Sequence, residues 1–327
     1  MGAPTQHTGK RRLISVQSVA QRLINTPRRY RGLVWVLLFS LLFIGLDGVF
    51  QKIFDIDLFR RRHMFSHIRV TASFINPNDL GSFLVTLLPL PLALLFSGIG
   101  RNVKVFLAAI FFIGIAVLLL TFSKGALAAF LLSLLFLAFC LRRRLVFLIF
   151  AVVIVLMFTL PLLFHGGCDW ASRLSSFFSD CGVKDRIFLW RAALRMFLAH
   201  PFFGVGLGTF MENYQLYWIR PTAEISYAHN CYLQTLAETG IIGLGTFVAF
   251  LSVWVIRVCG VIRKQPPAGT KGDGFVYFSV LGLAAGLVAY LLNSFVDTNF
   301  YALPLAVLFW SVLGVQVAGM KILCRKE

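Results

Sequence analysis

Eight long apolar runs constrain the fold of this chain more than any other feature of its sequence. Runs of about 20 helical residues cross the roughly 30 Å hydrocarbon core of a membrane. Backbone N–H and C=O groups cannot stay unpaired in lipid, so each run must form a helix. The sequence therefore predicts an all-α polytopic bundle of about eight transmembrane helices. The runs lie near residues 33–51, 79–99, 103–122, 125–141, 145–164, 232–261, 275–296 and 300–320.

The composition excludes an ordinary soluble domain. Hydrophobic residues make up 58% of the chain and charged residues only 13%, with a mean hydropathy of +0.82, well outside soluble usage. The net charge of +18 would also suit nucleic acid, but cations that flank apolar helices are first of all a topology signal. We therefore expect membrane lipids as partners and no nucleic acid.

The distribution of lysine and arginine predicts the topology. The short loops assigned to the cytoplasm are almost purely basic, and this positive-inside bias places both chain ends there. Cys168 and Cys181 then share a long outer segment, where they form a disulfide or remain two free thiols. Four divisions follow: a basic cytoplasmic segment at 1–31, helices one to five at 32–164, the outer segment at 165–228, and helices six to eight with a cytoplasmic carboxyl terminus at 229–327.

The outer segment contains one clear helical pattern. The stretch KDRIFLWRAALRMFLAH predicts a helix that ends at His200-Pro201. At 100° per residue, Arg191 and Arg195 project to one side, whereas Arg186 shares the other with Trp190. A guanidinium group among aromatic side chains either snorkels to water or is placed to bind an anion.

His229 is the leading candidate for acid–base chemistry, because imidazole accepts a proton near neutral pH. It stands at the start of a long apolar run, where a lone histidine is often structural. Asn230, Arg186 and Lys124 are predicted on the same side of the bilayer, where polar groups are expensive to keep. Their shared location favours a functional interpretation.

Glu238 follows His229 by nine positions, about 180° around a straight helix. A direct His–Glu pair is therefore not expected unless Gly240 breaks the helix. Pairing of Glu238 with a cation at the outer face is the favoured interpretation.

Lys124 stands in the short TFSKGAL hairpin between two apolar helices. It either snorkels to lipid headgroups or binds a phosphate as a point charge. Gly204, Gly206 and Gly208 spell G-x-G-x-G, but no strand precedes them, so tight turns rather than dinucleotide binding are expected. Asp55-Ile56-Asp57 is a weak metal motif without a supporting His or Cys set. We expect no metal and no other cofactor.

Four stretches together resemble the O-antigen ligase and O-antigen polymerase (Wzy/WaaL-type) family of bacterial membrane glycosyltransferases. They are FINPNDLGSFL at 74–84, TFSKGALAAF at 121–130, DRIFLWRAALRMFLAHPFFGVGLGTF at 185–210 and AHNCYLQTLAETGIIGLG at 228–245. The resemblance implies a metal-independent, inverting transfer of a glycan from undecaprenyl pyrophosphate to a glycan or lipid acceptor. It also places the multi-pass chain in the inner membrane, with the outer segment and the active site in the periplasm.

The same resemblance implies roles for individual residues. His229 matches the family's general base, and Arg186 matches an arginine that holds the pyrophosphate. Lys124 stands where the family usually has a second arginine, which keeps the charge but loses bidentate phosphate geometry. Supporting roles are expected for Asn230, Arg191 and Glu238.

Two alternatives remain open at this point. The sequence does not choose between a ligase and a polysaccharide polymerase, which differ in their acceptor. A transporter or flippase of lipid-linked glycans is the alternative from another class. It would favour ionisable groups in the middle of the membrane and two matching halves; only Asp47 fits the first condition, and the two halves differ.

Overall fold

In the computed structural model, the apolar runs form helices that pack side by side. The structure describes residues 26–65, 68–141, 147, 150–151, 181–218, 227–263 and 273–324. This part contains no named strand, only two isolated β-bridges, which confirms the predicted all-α class. Its helices are α1 (Pro27–Phe54), α2 (Pro77–Leu87), α3 (Pro89–Leu94), α4 (Arg101–Leu120), α5 (Lys124–Leu141), α6 (Cys181–Ala199), α7 (Phe210–Tyr217), α8 (Cys231–Arg263), α9 (Asp273–Asn293) and α10 (Leu303–Cys324), with a 3-10 turn at Asn299–Tyr301.

The described part holds seven helices long and apolar enough to cross a membrane, with α2 and α3 counted as one span. They correspond to seven of the eight predicted runs, so the chain is a multi-pass membrane protein. Only residues 147, 150 and 151 of the run at 145–164 are described, and they are helical. That eighth helix stays a prediction. The basic segment at 1–25, the linker at 264–272 and the side chains of Cys168 and Cys181 lie outside the described residues.

The predicted second helix is interrupted. It begins at Pro77, where the Asn76 side chain accepts a hydrogen bond from the Asn78 N–H at 2.9 Å, as expected for an N-cap before proline. The helix then changes at Leu88 into the short α3, because Pro89 has no N–H to continue the hydrogen-bond ladder. The single helix expected at 79–99 is therefore two segments that end at Leu94.

Helix α9 forms the centre of the bundle and packs against α2, α3, α5 and α10. The close approach needs a glycine, because a Cβ atom on Gly286 would collide with the carbonyl of Thr86. The packing is uneven around this centre. In the Pro77–Leu94 span 83% of the residues are buried within the protein, whereas only 11% of the residues are buried in the most apolar part of α8. Helix α8 therefore lies at the edge of the bundle.

The ends of several helices meet at one end of the bundle, which we call the site end. It comprises residues 55–65, 68–79, 121–124, 227–231 and 293–303. Direct bonds join its parts: Arg69 Nε donates to the Thr121 carbonyl at 2.7 Å, and the Cys231 N–H donates to the Ser294 carbonyl at 2.9 Å. The topology above predicts that this end faces the periplasm.

Helix α6 lies beside the first part of α8 and shares a small apolar core with it and α7. It ends at Ala199, before His200-Pro201, as predicted. Its buried side chains are Leu189, Ala192, Ala193 and Met196, whereas Arg191 and Arg195 are exposed. The exposure of Arg191 and Arg195 agrees with the prediction, whereas Arg186 and Trp190 are only half-buried, at the edge of the buried face.

Candidate active site

His229 lies two residues before α8 rather than within it. Its backbone is left-handed, with φ of 48°, a conformation that costs a non-glycine residue about 1–2 kcal/mol. The next residue, Asn230, is buried, and its side-chain oxygen accepts hydrogen bonds from the N–H groups of Tyr232 and Leu233, both at 3.0 Å. Asn230 is therefore the N-cap of α8. The cap holds the strained histidine at the helix entrance.

Asp297 is the carboxylate that faces His229. The distance from His229 Nδ1 to Asp297 Oδ1 is 3.7 Å, with side chains 32% and 14% exposed respectively. The Asp297 carbonyl also accepts a hydrogen bond from Cys231 Sγ at 3.3 Å. Asp79, in the first turn of α2, lies within electrostatic range of Asp297. Asp297 is therefore the carboxylate beside the imidazole, and Asp79 lies close to Asp297.

A buried polar network fixes the turn that carries Asp297. Ser82 of α2 donates to Asn299 Oδ1 at 2.9 Å and accepts from Asn293 Nδ2 at 2.7 Å. Asn299 in turn donates to the hydroxyl of Ser294 at 3.3 Å. These bonds tie both ends of the 293–299 turn to the centre of the bundle, so Asp297 is held by a rigid support.

Lys124 is the first residue of α5, and its side chain is exposed at the site end. Three residues, 121–123, connect α4 to α5, and the helix already includes Lys124. The adjacent Gly125 packs so closely that a Cβ there would lie 2.5 Å from Val296 Cγ2. Lys124 precedes Gly125 and Asp297 follows Val296, so both residues are adjacent in sequence to this contact.

Arg186 lies one helical turn before Trp190 on α6. The Trp190 indole N–H donates to the carbonyl of Ala228 at 2.9 Å, directly before His229. Arg186 is half-buried on the flank that Trp190 occupies, whereas Arg191 is exposed and points away from this contact. The structure thus associates Arg186 with the histidine segment and leaves Arg191 apart from it.

Within the described part of the chain Glu238 contacts neutral donors and no cation, so the expected pairing is wrong there. It is buried, and its carboxylate accepts hydrogen bonds from the N–H groups of Gly208 and Phe210, the Gln234 amide and the Tyr301 hydroxyl, at 2.8 to 3.3 Å. Burial raises the pKa of Tyr301 above its ordinary value, and the Glu238 charge raises it further. The phenol therefore remains a donor, and neutral groups satisfy the carboxylate.

Gly240 does break α8, and the glycine-rich loop fills the break. Gly240 has φ of 65° and ψ of −168°, a combination open essentially only to glycine. The carbonyls of Ala237 and Glu238 accept the N–H groups of Val205 and Gly206 at 2.9 and 3.0 Å. The three loop glycines have φ of 68°, 119° and 76°, which confirms tight turns. We call this arrangement of residues 201–210 on residues 237–242 the kink clamp.

The carboxylates of Asp57, in the first loop, and of Asp47, in α1, accept hydrogen bonds that hold the loop in place. Asp57 accepts the N–H groups of Phe59, Arg60 and Arg62 at 2.6 to 3.1 Å. Asp47 bonds to the Leu58 N–H and the Ser73 hydroxyl, so it anchors the loop instead of facing a path through the membrane. Within the described ranges, no three His, Cys, Asp or Glu side chains form a group suited to a metal ion.

Comparison with known protein families bears on this geometry. Residues 109–248 match the family model described as O-antigen ligase. This part of the chain is therefore similar to O-antigen ligases. The matched range confirms the family resemblance and supports an O-antigen ligase or polymerase type of function, with glycosyltransferase-like activity on lipid-linked glycans. Among curated proteins, none matches the chain.

The matched range contains Lys124, Arg186 and His229 but ends before Asp297. The sequence reasoning missed Asp297, and also Arg69, which supports the hairpin by donating to Thr121 and to Asn78 Oδ1 at 2.9 Å. The sequence does offer one signal for Asp297: it is an ionisable residue between two apolar runs, on the side of the membrane where His229 is predicted. Only the packing of α8 against the end of α9 brings the two residues together.

Proposed function

We propose that this protein is a metal-independent, inverting glycosyltransferase, which moves a glycan from undecaprenyl pyrophosphate to an acceptor at the periplasmic face of the inner membrane. The supporting observation is the position of His229 beside Asp297, between the segments that carry Lys124 and Arg186. Each of these segments contacts a residue next to His229 or Asp297. These contacts bring the segments that carry the proposed base and the two cations to the same region of the site end.

The proposed reaction uses His229 as the general base. The acceptor hydroxyl oxygen forms a bond to the anomeric carbon of the donor sugar while the bond from that carbon to the pyrophosphate oxygen breaks. The hydroxyl proton passes to His229 Nε2, because Nδ1 faces Asp297. Asp297 then stabilises the imidazolium. Attack opposite the leaving group inverts the configuration at the anomeric carbon, and undecaprenyl pyrophosphate departs.

The two cations are proposed to stabilise the leaving group. Negative charge grows on the pyrophosphate as its bond to the sugar breaks, and fixed cations are most effective at a partly dry site. Arg186 supplies a planar fork for two phosphate oxygens, and Lys124 supplies a point charge. Since Arg186 lies about one turn, roughly 5 Å, before Trp190, its long side chain is expected to extend toward the sugar-bearing head of the donor.

The lipid tail of the donor has an apolar surface close to this region. The kink clamp exposes Phe202, Phe203 and Leu207, and the next turn of α8 exposes Ile241 and Ile242. A polyprenyl chain is proposed to lie along this surface, with its pyrophosphate directed at the site end. The substrate would then keep its tail in lipid and its sugars in water.

Product formation by purified protein tests the proposal. Protein in lipid nanodiscs is incubated with an undecaprenyl-pyrophosphate-linked glycan and an acceptor, and the joined product and free undecaprenyl pyrophosphate are measured. His229→Ala should lower the rate about 10²- to 10⁴-fold, the usual share of a general base. His200→Ala changes an exposed histidine at the end of α6 and should leave the rate unchanged. Equal rates for the parent and His229→Ala would refute the base assignment.

Two further arms separate the remaining alternatives. A lipid-core acceptor identifies a ligase, whereas a second lipid-linked repeat as acceptor identifies a polymerase. A transporter would move the donor between leaflets without releasing undecaprenyl pyrophosphate. Addition of a chelator should leave the rate unchanged if the reaction is metal-independent.

A further inference from the structure

The first loop of the site end contains a compact turn, residues 57–62, whose acidic and basic groups are separated. The buried Asp57 carboxylate accepts three backbone N–H groups within the turn, and the nearby Asp55 carboxylate is 3.1 Å from His63 Nδ1. The side chains of Arg60, Arg61 and Arg62 are exposed. The turn therefore directs its negative charge inward and its positive charge outward.

This turn folds back along α1 instead of extending into water. The Leu58 N–H donates to Asp47 Oδ1 at 2.8 Å, and Asp47 lies seven residues before the end of α1, roughly 10 Å along the axis. The ring of Phe59 lies 4.9 Å from that of Phe43, centroid to centroid, and Phe43 is 56% exposed on the bundle exterior. The turn therefore packs against the exposed face of α1, which is expected to face lipid.

The neighbouring helix gives the depth of the turn. Gly48, next to Asp47, packs against Val117 of α4, three residues before that helix ends at Leu120. The turn is therefore level with the last turn of a membrane-spanning helix. In a helix that spans the bilayer, the last turn is expected at the boundary between acyl chains and headgroups.

The exposed groups of the turn match the two parts of a phospholipid at this boundary. Leu58 and Phe59 are 41% and 52% exposed, beside apolar side chains of α1. The three guanidinium groups follow directly, and in the part of the chain that the structure describes no group accepts a hydrogen bond from them. Arg61 keeps a left-handed backbone, φ 54°, where glycine would be less strained.

We propose that the 57–62 turn binds the phosphate of an anionic phospholipid, with Leu58 and Phe59 in the acyl region and the three arginines at the headgroup. Guanidinium groups bind phosphate oxygens in a bidentate manner, and an anionic headgroup adds net charge that a zwitterionic one lacks. The turn lies on the outer side of α1, separate from the His229 turn. The proposal does not depend on the proposed reaction.

Photocrosslinking from the turn itself tests this proposal. The full chain with p-benzoylphenylalanine in place of Phe59 is placed in nanodiscs of equimolar phosphatidylglycerol and phosphatidylcholine, irradiated, and its lipid adducts are identified by mass spectrometry. Phosphatidylglycerol adducts should exceed phosphatidylcholine adducts by about fivefold or more. Higher salt should reduce this ratio, because screening weakens exposed charge pairs.

Variants assign the preference to the arginines. Combined Arg60→Gln, Arg61→Gln and Arg62→Gln changes should bring the ratio to one while total lipid adducts persist. The matched control, Arg101→Gln with Lys104→Gln at the opposite end of the bundle, should keep the parent ratio. A parent ratio of one, an absence of lipid adducts, or a ratio that survives the triple change would overturn the proposal. The parent ratio is decisive even if the triple variant does not fold.

Discussion

Two acidic residues near the start of α8 differ in how their charge is used. Glu238 lies in the kink clamp and accepts four hydrogen bonds from neutral groups. Asp297 lies in the 293–299 turn, where its carboxylate accepts the Thr298 N–H at 2.8 Å and faces a partly exposed imidazole. All four hydrogen bonds of the Glu238 carboxylate come from groups of the fold, whereas the Asp297 carboxylate also faces the imidazole of His229.

The two carboxylates therefore have different expected roles: Glu238 stabilises the fold, and Asp297 takes part in the proposed reaction. The kink clamp closes the outer segment onto α8 with backbone bonds, so its loss should affect folding. The Asp297 turn is already held by Ser82 and the asparagines around it, so changes to its carboxylate should affect the reaction. This distinction gives different expected outcomes for residues that are close together in space.

The largest effect is expected in the kink clamp. Gly240→Ala places a Cβ against the backbone of Phe202 and forces alanine into a glycine-only conformation. We expect a loss of stability of about 3 kcal/mol or more, seen as a lower unfolding temperature in detergent. Gly245→Ala is the control, because a Cβ there meets open space. Equal unfolding temperatures for the two variants would mean that the clamp does not hold the fold.

Substitution of Arg186 tests whether α6, which joins the kink clamp to the histidine segment, contributes to the proposed reaction. Arg186→Gln should lower the transfer rate about 10- to 100-fold, because hydrogen bonds to a charged group contribute about 1.5–3 kcal/mol. The unfolding temperature should stay near that of the parent. Arg195→Gln, on the exposed face of the same helix, should retain the parent rate. A similar loss in both variants would remove the special role of Arg186.

Changes at Lys124, whose segment contacts the Asp297 turn, should have the smallest effect on the transfer rate. Lys124→Arg preserves the charge and adds bidentate geometry, so the rate should rise a few-fold, about 1 kcal/mol at most. Lys124→Gln should reduce it about tenfold. Lys104→Gln at the opposite end of the bundle serves as the control. An unchanged rate in Lys124→Gln would indicate that this lysine only contacts lipid headgroups.

The helices were predictable because a membrane leaves a long apolar run few options. Seven of the eight runs were found in the described residues, and the ends of most differ from the prediction by a few residues. The division of Pro77–Leu94 was harder to foresee. Its signal was Pro89, which removes one helical hydrogen bond and thereby interrupts a run that hydropathy alone treats as continuous.

The partners of the site residues were less predictable, because they depend on contacts between distant parts of the chain. His229 and Asp297 are separated by α8 and α9, and no periodicity links them. The environment of Glu238 depends on a loop that returns from α6 to the break at Gly240. A sequence pattern indicates that such a break exists, but it does not indicate which carbonyls become free or which N–H groups reach them.

The most direct test of the account compares Asp297→Asn with Glu238→Gln in the same transfer assay and the same unfolding measurement. Asp297→Asn should lower the rate about tenfold or more at an unchanged unfolding temperature, because the imidazolium loses its carboxylate. Glu238→Gln should lower the unfolding temperature, with a loss of about 1–3 kcal/mol, while the rate per folded molecule stays within a few-fold of the parent. The reverse pattern, with full activity in Asp297→Asn and a specific rate loss in Glu238→Gln, would contradict the account.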